Sequence, residues 1–491
     1  MEILIAVGYL MCLLFIFLFS LGQLHLTWHY LRRLREKKTP VPFVAAEAPV
    51  VTVQLPVYNE RYVVERLIDA VANMAYPPEK LEIQVLDDSN DETVQLIADK
   101  VSYYQQQGID IQHIRRPERK GFKAGALAYG LEQAKGNFIA IFDADFLPAP
   151  DFLQQTVPHF AANEKVGVVQ ARWGHVNKNY SLLTRLQAFG LDGHFTIEQG
   201  GRSHAGSFIN FNGTGGIWRK SCILDAGGWS DDTLTEDLDL SYRAQMRGWQ
   251  FIYLEEVEAP AELPILMPAI KSQQFRWNKG AAECARKHLR QIFRARPERK
   301  LNGIHRAHAV MHLFNSSVFL FLLLGALLSV PMLFIKQQHP YLNTFFRLGG
   351  IFVIGFFSIG FFYWVATQRV IRRHRFWYFV KHYPLFLTIT MGLSLHNAWA
   401  VAEGLLGFKS PFLRTPKFNV TDAREKMKRN IYLKARVSPI AWVELLLACY
   451  FAFGLFMAFQ TADYGLFLFH AMLMLGFGAV AWFSFSAARH A

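Results

Sequence analysis

Apolar and polar positions divide this chain into three parts. Residues 3–26 form an almost uncharged apolar run, long enough for the about 20 residues that a bilayer-spanning helix needs. Between about residue 50 and residue 306 the apolar runs shorten to strand length, and charged residues, Gly and Pro return. The segments VVTVQLPVYNE, LEIQVLDDSN, GIDIQHIRRP and GNFIAIFDADF read as buried strands that end in polar loops, with helical spacing over 61–74 and 123–135. Strand–helix alternation predicts a parallel α/β sheet with right-handed crossovers. In such sheets ligands sit at the carboxyl ends of the strands. Long apolar runs resume over 307–335, 346–367, 439–460 and 464–485, each sufficient to span. The expected organisation is a spanning helix over 1–28, a soluble α/β domain over 45–300 inserted between membrane helices, and a membrane region over 305–490.

Charge adds direction to this pattern. Only Glu2 precedes the first apolar run, whereas Arg32, Arg33, Arg35, Lys37 and Lys38 follow it. That order argues against a cleaved signal peptide and places the soluble domain in the cytoplasm. The loop 407–438 is also strongly basic, as is the linker 369–375. With both linkers inside, the stretch 383–406, which holds Pro384, Gly392, His396, Asn397 and Glu403, is expected to be interfacial or re-entrant rather than a single crossing.

Composition narrows the class further. Hydrophobic residues make up 52% and charged residues 19%, too apolar for a disordered chain and below the about 25% charge of soluble domains. The length of 491 residues allows about two to four domains. The formal charge of +13 collects beside the apolar runs, which fits anionic lipid headgroups as partners; no base-reading or stacking module points to nucleic acid. Cys12, Cys222, Cys284 and Cys449 lack the spacing of a disulfide framework or a metal site.

The candidate chemistry lies where the predicted strands end. Asp87-Asp88-Ser89 follows IQVL, and Asp143-Ala144-Asp145 follows FIAIF. Two acids separated by one residue can approach one divalent ion, and hard oxygen ligands suit Mg²⁺ or Mn²⁺ with a substrate diphosphate. Alone, such a pair is most often a surface loop; its position after a very apolar strand, where unpaired charge is costly, gives it weight. Thr235-Glu236-Asp237 opens a predicted helix running toward Arg247, with Thr235 as its cap and Gly248 as its stop, and first-turn acids also favour a helix dipole. Gln273, Arg276 and Gly280 would share one face of a helix near the membrane, where a snorkelling Arg and a belt Trp277 are the plainer reading.

In this order and spacing, DDS, DAD, TED and QQFRW resemble the D, DxD, (T)ED, QxxRW signature of membrane-embedded family 2 glycosyltransferases, which include cellulose, chitin and hyaluronan synthases. LPVYNE (55–60), RKGFKAGAL (119–127), VQARWGHVN (169–177) and FNGTGGIWR (211–219) look closer to the plant cellulose synthase-like A and C groups and their bacterial relatives. The resemblance implies a GT-A-type nucleotide-sugar-binding domain. It implies an inverting transferase that uses UDP-glucose or GDP-mannose, with Mg²⁺ or Mn²⁺, to elongate a β-linked polysaccharide and export it through the membrane helices. A single transfer to a lipid acceptor, as in ceramide or diacylglycerol glucosyltransferases, is the alternative. The setting would be a bacterial inner membrane or, in a eukaryote, the Golgi, with accessory or export subunits left open.

Carried over residue by residue, the resemblance places Pro56, Tyr58 and Glu60 along the nucleotide pocket, Asp88 on the nucleotide and Lys123 beside the diphosphate. Asp143 and Asp145 would bind the metal and diphosphate. Asp237, beside Glu236, matches the catalytic base, and Gln273, Arg276 and Trp277 would hold the leaving diphosphate and acceptor sugar. Trp173, His175, Asn212, Gly213 and Thr214 would lie near the acceptor. Arg414–Lys417 is similar to part of the gating-loop motif FxVTxK, from which Phe412-Leu413-Arg414 departs. Asn315, Ser316, Ser317 and Glu444 are expected to line a polar path through the spans.

Overall fold

Strands β1 (Val51–Val57), β2 (Leu81–Asp87) and β4 (Phe138–Ile141) are buried almost throughout, as in a sheet covered on both faces, and β3 (Ile111–Ile114) is half-exposed at its centre. The computed structural model describes residues 1–36, 41–161, 163–294, 302–339, 353–410, 414–420, 432 and 437–489. The start of the predicted run 346–367, the junction 295–301 and most of the basic loop lie outside them. With β5 (Val166–His175), β6 (Gly216–Arg219) and β7 (Gln250–Ala261), the strands form one sheet in the order β3-β2-β1-β4-β6-β5-β7.

The four strands read from the sequence are mutually parallel as expected, and three further strands make the whole sheet mixed. β1 runs parallel to both β2 and β4, and β2 to β3. β6 then enters antiparallel to β4 and to β5, while β5 and β7 pair in parallel. The strand order reverses at β1, between β2 on one side and β4 on the other, and the crevice beyond the carboxyl ends of strands at such a point is where α/β sheets hold ligands. Helices Val64–Ala72 and Phe122–Gln133 fall within a few residues of the predicted stretches.

Helices Glu2–Arg33, Asn315–Gln338, Val353–Val370, Ile440–Gln460 and Phe467–Ala487 are long and apolar enough to cross a membrane. The ambiguous stretch belongs to a pair, Arg375–Gly392 and Ser394–Leu406, bent by 51° at its break. The run 307–335 is not one helix. Asn315–Ser317 forms a 3-10 turn between helices Gly303–Leu313 and Val318–Gln338, so these polar residues shape a junction. The four cysteines are free.

Buried polar contacts fasten the sheet to these helices. Tyr30, fully buried, donates to Glu255 Oε1 at 2.6 Å and accepts from Arg369 Nε at 2.8 Å; Arg33 reaches Glu255 at 3.3 Å. One β7 carboxylate thus joins the first span, the helix Val353–Val370 and the sheet. Lys279 of helix Met267–Arg294, with no exposed side-chain surface, donates to Glu403 Oε2 at 2.9 Å and Ser410 Oγ at 2.5 Å. Lys271 of the same helix donates to Glu444 Oε2 at 2.7 Å and Ser484 Oγ at 2.9 Å. Glu444 is therefore held in a buried ion pair.

Removing one partner of a buried pair leaves the other charge uncompensated, at a cost of about 3–5 kcal/mol, whereas replacing both with apolar groups is often neutral. Glu444→Ala is expected to lower the stability of the detergent-solubilised protein by about that amount. The double change Lys271→Met with Glu444→Leu is expected to regain most of it in thermal unfolding scans, and a neutral single variant would contradict the role given to the pair.

Candidate active site

The crevice at the strand reversal is an open cleft of about 690 Å³. Pro56, Tyr58 and Glu60 enter it from the end of β1, Asp88 from the end of β2, and Asp143 and Asp145 from the end of β4. Lys123 comes from the first turn of helix Phe122–Gln133, and Arg276 from helix Met267–Arg294. The cleft thus gathers eight residues that the sequence motifs single out. Arg119, Arg414, Thr415 and Lys417 complete its wall.

Charge balance organises this cleft. Lys123 Nζ donates to Asp143 Oδ1 at 2.6 Å and to the Gly213 carbonyl at 2.8 Å, and stands 3.8 Å from Glu236. Burial disfavours the ammonium, but Asp143, Glu236 and Asp237 outweigh it and hold the Lys123 pKa above its ordinary value. The Asp143 backbone N–H donates to Thr214 Oγ1 at 2.9 Å, which fixes the acidic loop against the Asn212–Gly216 turn. Lys417 meets Asp145 Oδ2 at 2.5 Å, and Arg276 donates to Thr415 Oγ1 at 2.9 Å. Segment 414–420 therefore lies along the cleft despite its departure from the motif. Arg414 itself donates to the Tyr58 carbonyl at 2.8 Å and approaches Glu60 at 3.5 Å. Phe412 and Leu413 lie outside the described residues. Burial pushes the Glu60 carboxyl up to about 8 against the pull of Arg414 and Lys417.

Glu236 and Asp237 open the helix Glu236–Met246. Thr235 precedes them without the expected side-chain cap; its hydroxyl faces Cys284 Sγ at 3.5 Å. This contact exists because Gly280 lets the Met267–Arg294 helix come close: a Cβ there would stand 2.5 Å from Thr235 Cγ2. Gly213, at φ +78°, brings its backbone under the catalytic candidates, and a Cβ there would lie 3.1 Å from Asp237 Oδ2. Burial first, and Glu236 next, raise the Asp237 carboxyl to about 7.

Beyond Asp237 the wall turns aromatic. Trp277 and Trp173 have ring centres 6.3 Å apart, and Trp173 packs on Phe195 at 5.0 Å and Phe146 at 5.2 Å. Trp173 Nε1 donates to the Thr214 carbonyl at 3.3 Å. Gln273 lies one turn before Trp277 on the same helix. His175 is drawn to Asp192 at 3.3 Å, and Asn212 Oδ1 accepts from Gln199 and Asn210 at 3.0 and 2.7 Å.

Among the described residues no three His, Cys, Asp or Glu side chains converge as a metal-binding group. Asp143 and Asp145 nevertheless fit Mg²⁺ or Mn²⁺ of the kind held by one or two carboxylates with substrate phosphates and water, since each presents hard oxygens to the cleft and now holds one ammonium group.

The motif described as glycosyltransferase like family 2 matches residues 48–280. Glucomannan 4-beta-mannosyltransferase 1 of Oryza sativa subsp. japonica is 37% identical over 372 residues, covering 73% of this chain and 69% of its own length. Glucomannan 4-beta-mannosyltransferase 2 of Arabidopsis thaliana is 39% identical over 345 residues, covering 67% of this chain and 63% of its own length. The mannosyltransferase PcManGT from Pyrobaculum calidifontis, solved in complex with GDP-Man and Mn²⁺, superposes with a TM-score of 0.52 at 18% identity, over 83% of this chain and 99% of its own; this shows a shared fold, GT-A.

The raised carboxyl of Asp237 has a consequence for stability. A carboxyl whose folded pKa exceeds its unfolded value favours the fold below about pH 4, and that contribution is lost as the pH rises through about 7. Asp237→Asn keeps the shape without the charge. The variant is expected to unfold at a higher temperature than the parent at pH 8, with a smaller gap at pH 5. Equal gaps at both pH values in thermal scans would mean that Asp237 is not the titrating group.

Proposed function

This chain belongs to the family 2 glycosyltransferases, and we propose that it transfers mannose from GDP-mannose to the end of a β-linked, mannan-type polysaccharide. The single observation that carries this reading is the set of acids and cations gathered with Tyr58 at one strand reversal, in a chain whose curated relatives named above are glucomannan mannosyltransferases. Asp143 and Asp145 would hold Mg²⁺ or Mn²⁺, which when bound neutralises the departing diphosphate.

The residues divide the work along the cleft. Tyr58 and Asp88 take the nucleoside, and Lys123 and Arg276 face the diphosphate as fixed positive charges. Trp277 and Trp173 stack the acceptor sugar. Asp237 removes the proton from the acceptor hydroxyl, whose oxygen attacks the anomeric carbon from the face opposite the leaving group and inverts its configuration. Its raised pKa suits the role, because a general base acts best when its pKa lies near the working pH. In this reading the domain faces the cytoplasm, where the basic flanks of the first span belong. Trp277 rides on the helix that packs against Ser394–Leu406, so a lengthening product leaves toward the membrane helices and repeated addition is coupled to export.

Purified protein in detergent with Mn²⁺, offered GDP-mannose, UDP-glucose and UDP-N-acetylglucosamine separately, is expected to release GDP from the first and to form product that a β-mannanase digests. A single-sugar glycolipid, or turnover of UDP-N-acetylglucosamine alone, would overturn the reading. Asp237→Asn is expected to lose transfer by about 10²–10⁴-fold while GDP still binds; wild-type turnover in that variant would remove Asp237 from the role of base.

A further inference from the structure

The two ends of the cleft are unlike, and one arginine at the nucleoside end has no assigned task. The acid pair, Lys123 and Arg276 fix the diphosphate at the end of β4, so a base attached to it falls toward the ends of β1 and β2, where Tyr58, Asp88 and Arg119 line the wall. Three arginines lie in the segment after β3, and two are committed. Arg115 donates to the Ser89 carbonyl at 2.9 Å. Arg116 grips both oxygens of Asp88, at 2.7 and 2.6 Å, and is itself anchored on the carbonyls of Lys120 and Phe122 at 2.5 and 2.7 Å.

Arg119 is placed differently. Its guanidinium carbon lies 3.4 Å from the centre of the Tyr58 ring and 4.9 Å from that of Phe122. Its Nε stands 3.9 Å from Asp88 Oδ2, beyond a hydrogen bond, and has no hydrogen-bond partner among the described residues. Its side chain keeps 28% of its surface exposed. A guanidinium lying on an aromatic ring is held in plane, with its row of N–H donors turned outward along the edge. Arg116 already satisfies Asp88, so Arg119 is not needed there as a counter-ion.

Resting on the GDP-mannose reading above, we propose that Arg119 is the residue that selects guanine: stacked on Tyr58, it donates two parallel hydrogen bonds to O6 and N7 of the base. Guanine carries these two acceptors side by side, and an arginine fork matches them. Uracil offers a single carbonyl beside a C–H on the comparable edge, so half of the fork is left facing nothing. One such bidentate pair discriminates by roughly 5- to 150-fold. The selection comes from geometry, since a point charge of the same sign offers no matched pair of donors.

The test measures binding of GDP, UDP and 7-deaza-GDP, which lacks the N7 acceptor, to the full-length protein in detergent with Mn²⁺ by calorimetry. The unaltered protein is expected to bind GDP more tightly than either of the others. Arg119→Ala is expected to weaken GDP by roughly 5- to 150-fold, to leave UDP nearly unchanged, and to bind GDP and 7-deaza-GDP alike. Arg119→Lys is expected to behave as Arg119→Ala does. Retained UDP affinity certifies that the variants fold. An equal loss of GDP and UDP, or full rescue by lysine, would overturn the proposal while leaving the donor reading intact. An unaltered protein that binds GDP no better than UDP would overturn the donor reading, and the proposal with it.

Discussion

Carboxylates crowded around one cleft impose the constraint that the rest of this structure answers. Asp143, Asp145, Glu236 and Asp237 come from two distant segments and would repel one another without compensating charge. Lys123 stands between three of them, bonded to Asp143 and near Glu236, with Asp237 across the Gly213 turn. Lys417 covers the fourth. Because Lys123 also holds the Gly213 carbonyl, one ammonium group sets both the charge balance and the position of the turn beneath the proposed base. The residual strain of that crowding is visible in Asp237, whose carboxyl is pushed toward neutrality by burial and by its neighbour.

The same logic extends to the membrane helices. Helix Met267–Arg294 carries Arg276 into the cleft and Lys279 and Lys271 away from it, to Glu403 and Glu444. Each lysine is buried against a carboxylate of a different membrane-region helix. A helix held at two such points cannot slide without breaking a buried pair, and this makes its register against the sheet a property of the whole assembly. Glu255 does equivalent work at the first span, where Tyr30, Arg33 and Arg369 converge on it.

Much of this was legible in the sequence because the signals were local. Strand β4 announces itself as an unbroken apolar run and β1 and β2 as apolar residues alternating with Thr52, Gln54, Glu82 and Gln84, and their acids follow within a few residues, so the strand ends located the cleft. The half of the sheet built from β5, β6 and β7 was not legible. β6 has only four residues, and β7, whose burial alternates from Tyr253 onward, puts a charge, Glu255, on its buried side, so neither shows an apolar period in the sequence. The single apolar run 307–335 hid a turn because Asn315–Ser317 is too short to lower the hydropathy of its window. Which acid each cation meets was the hardest to find. Arg116 meets Asp88 across 28 residues and Lys417 meets Asp145 across 272, and no spacing rule links positions that only the fold brings together.

Segment 414–420 shows why a departure from a motif need not mean a loss of docking. Where the family pattern has an apolar residue, this chain has Arg414, and a guanidinium cannot settle into a cleft by burial alone. It settles here because the cleft supplies acceptors: the Tyr58 carbonyl, the Glu60 carboxyl and the face of Tyr432, 4.1 Å from its guanidinium carbon. Glu60 in turn is buried enough to favour its neutral form, and Arg414 and Lys417 are what draw it back toward charge. Farther along, Glu262 accepts from the Phe418 backbone at 2.8 Å and is itself held by Arg66 at 2.8 Å. The segment is therefore seated by charge and hydrogen bonding from Arg414 to Phe418 and by burial of Phe418 and Val420 against Ile265. Its contacts at Asp145 and Arg276 fall on the groups given above to metal and diphosphate, so seating this segment and binding the donor draw on the same charges.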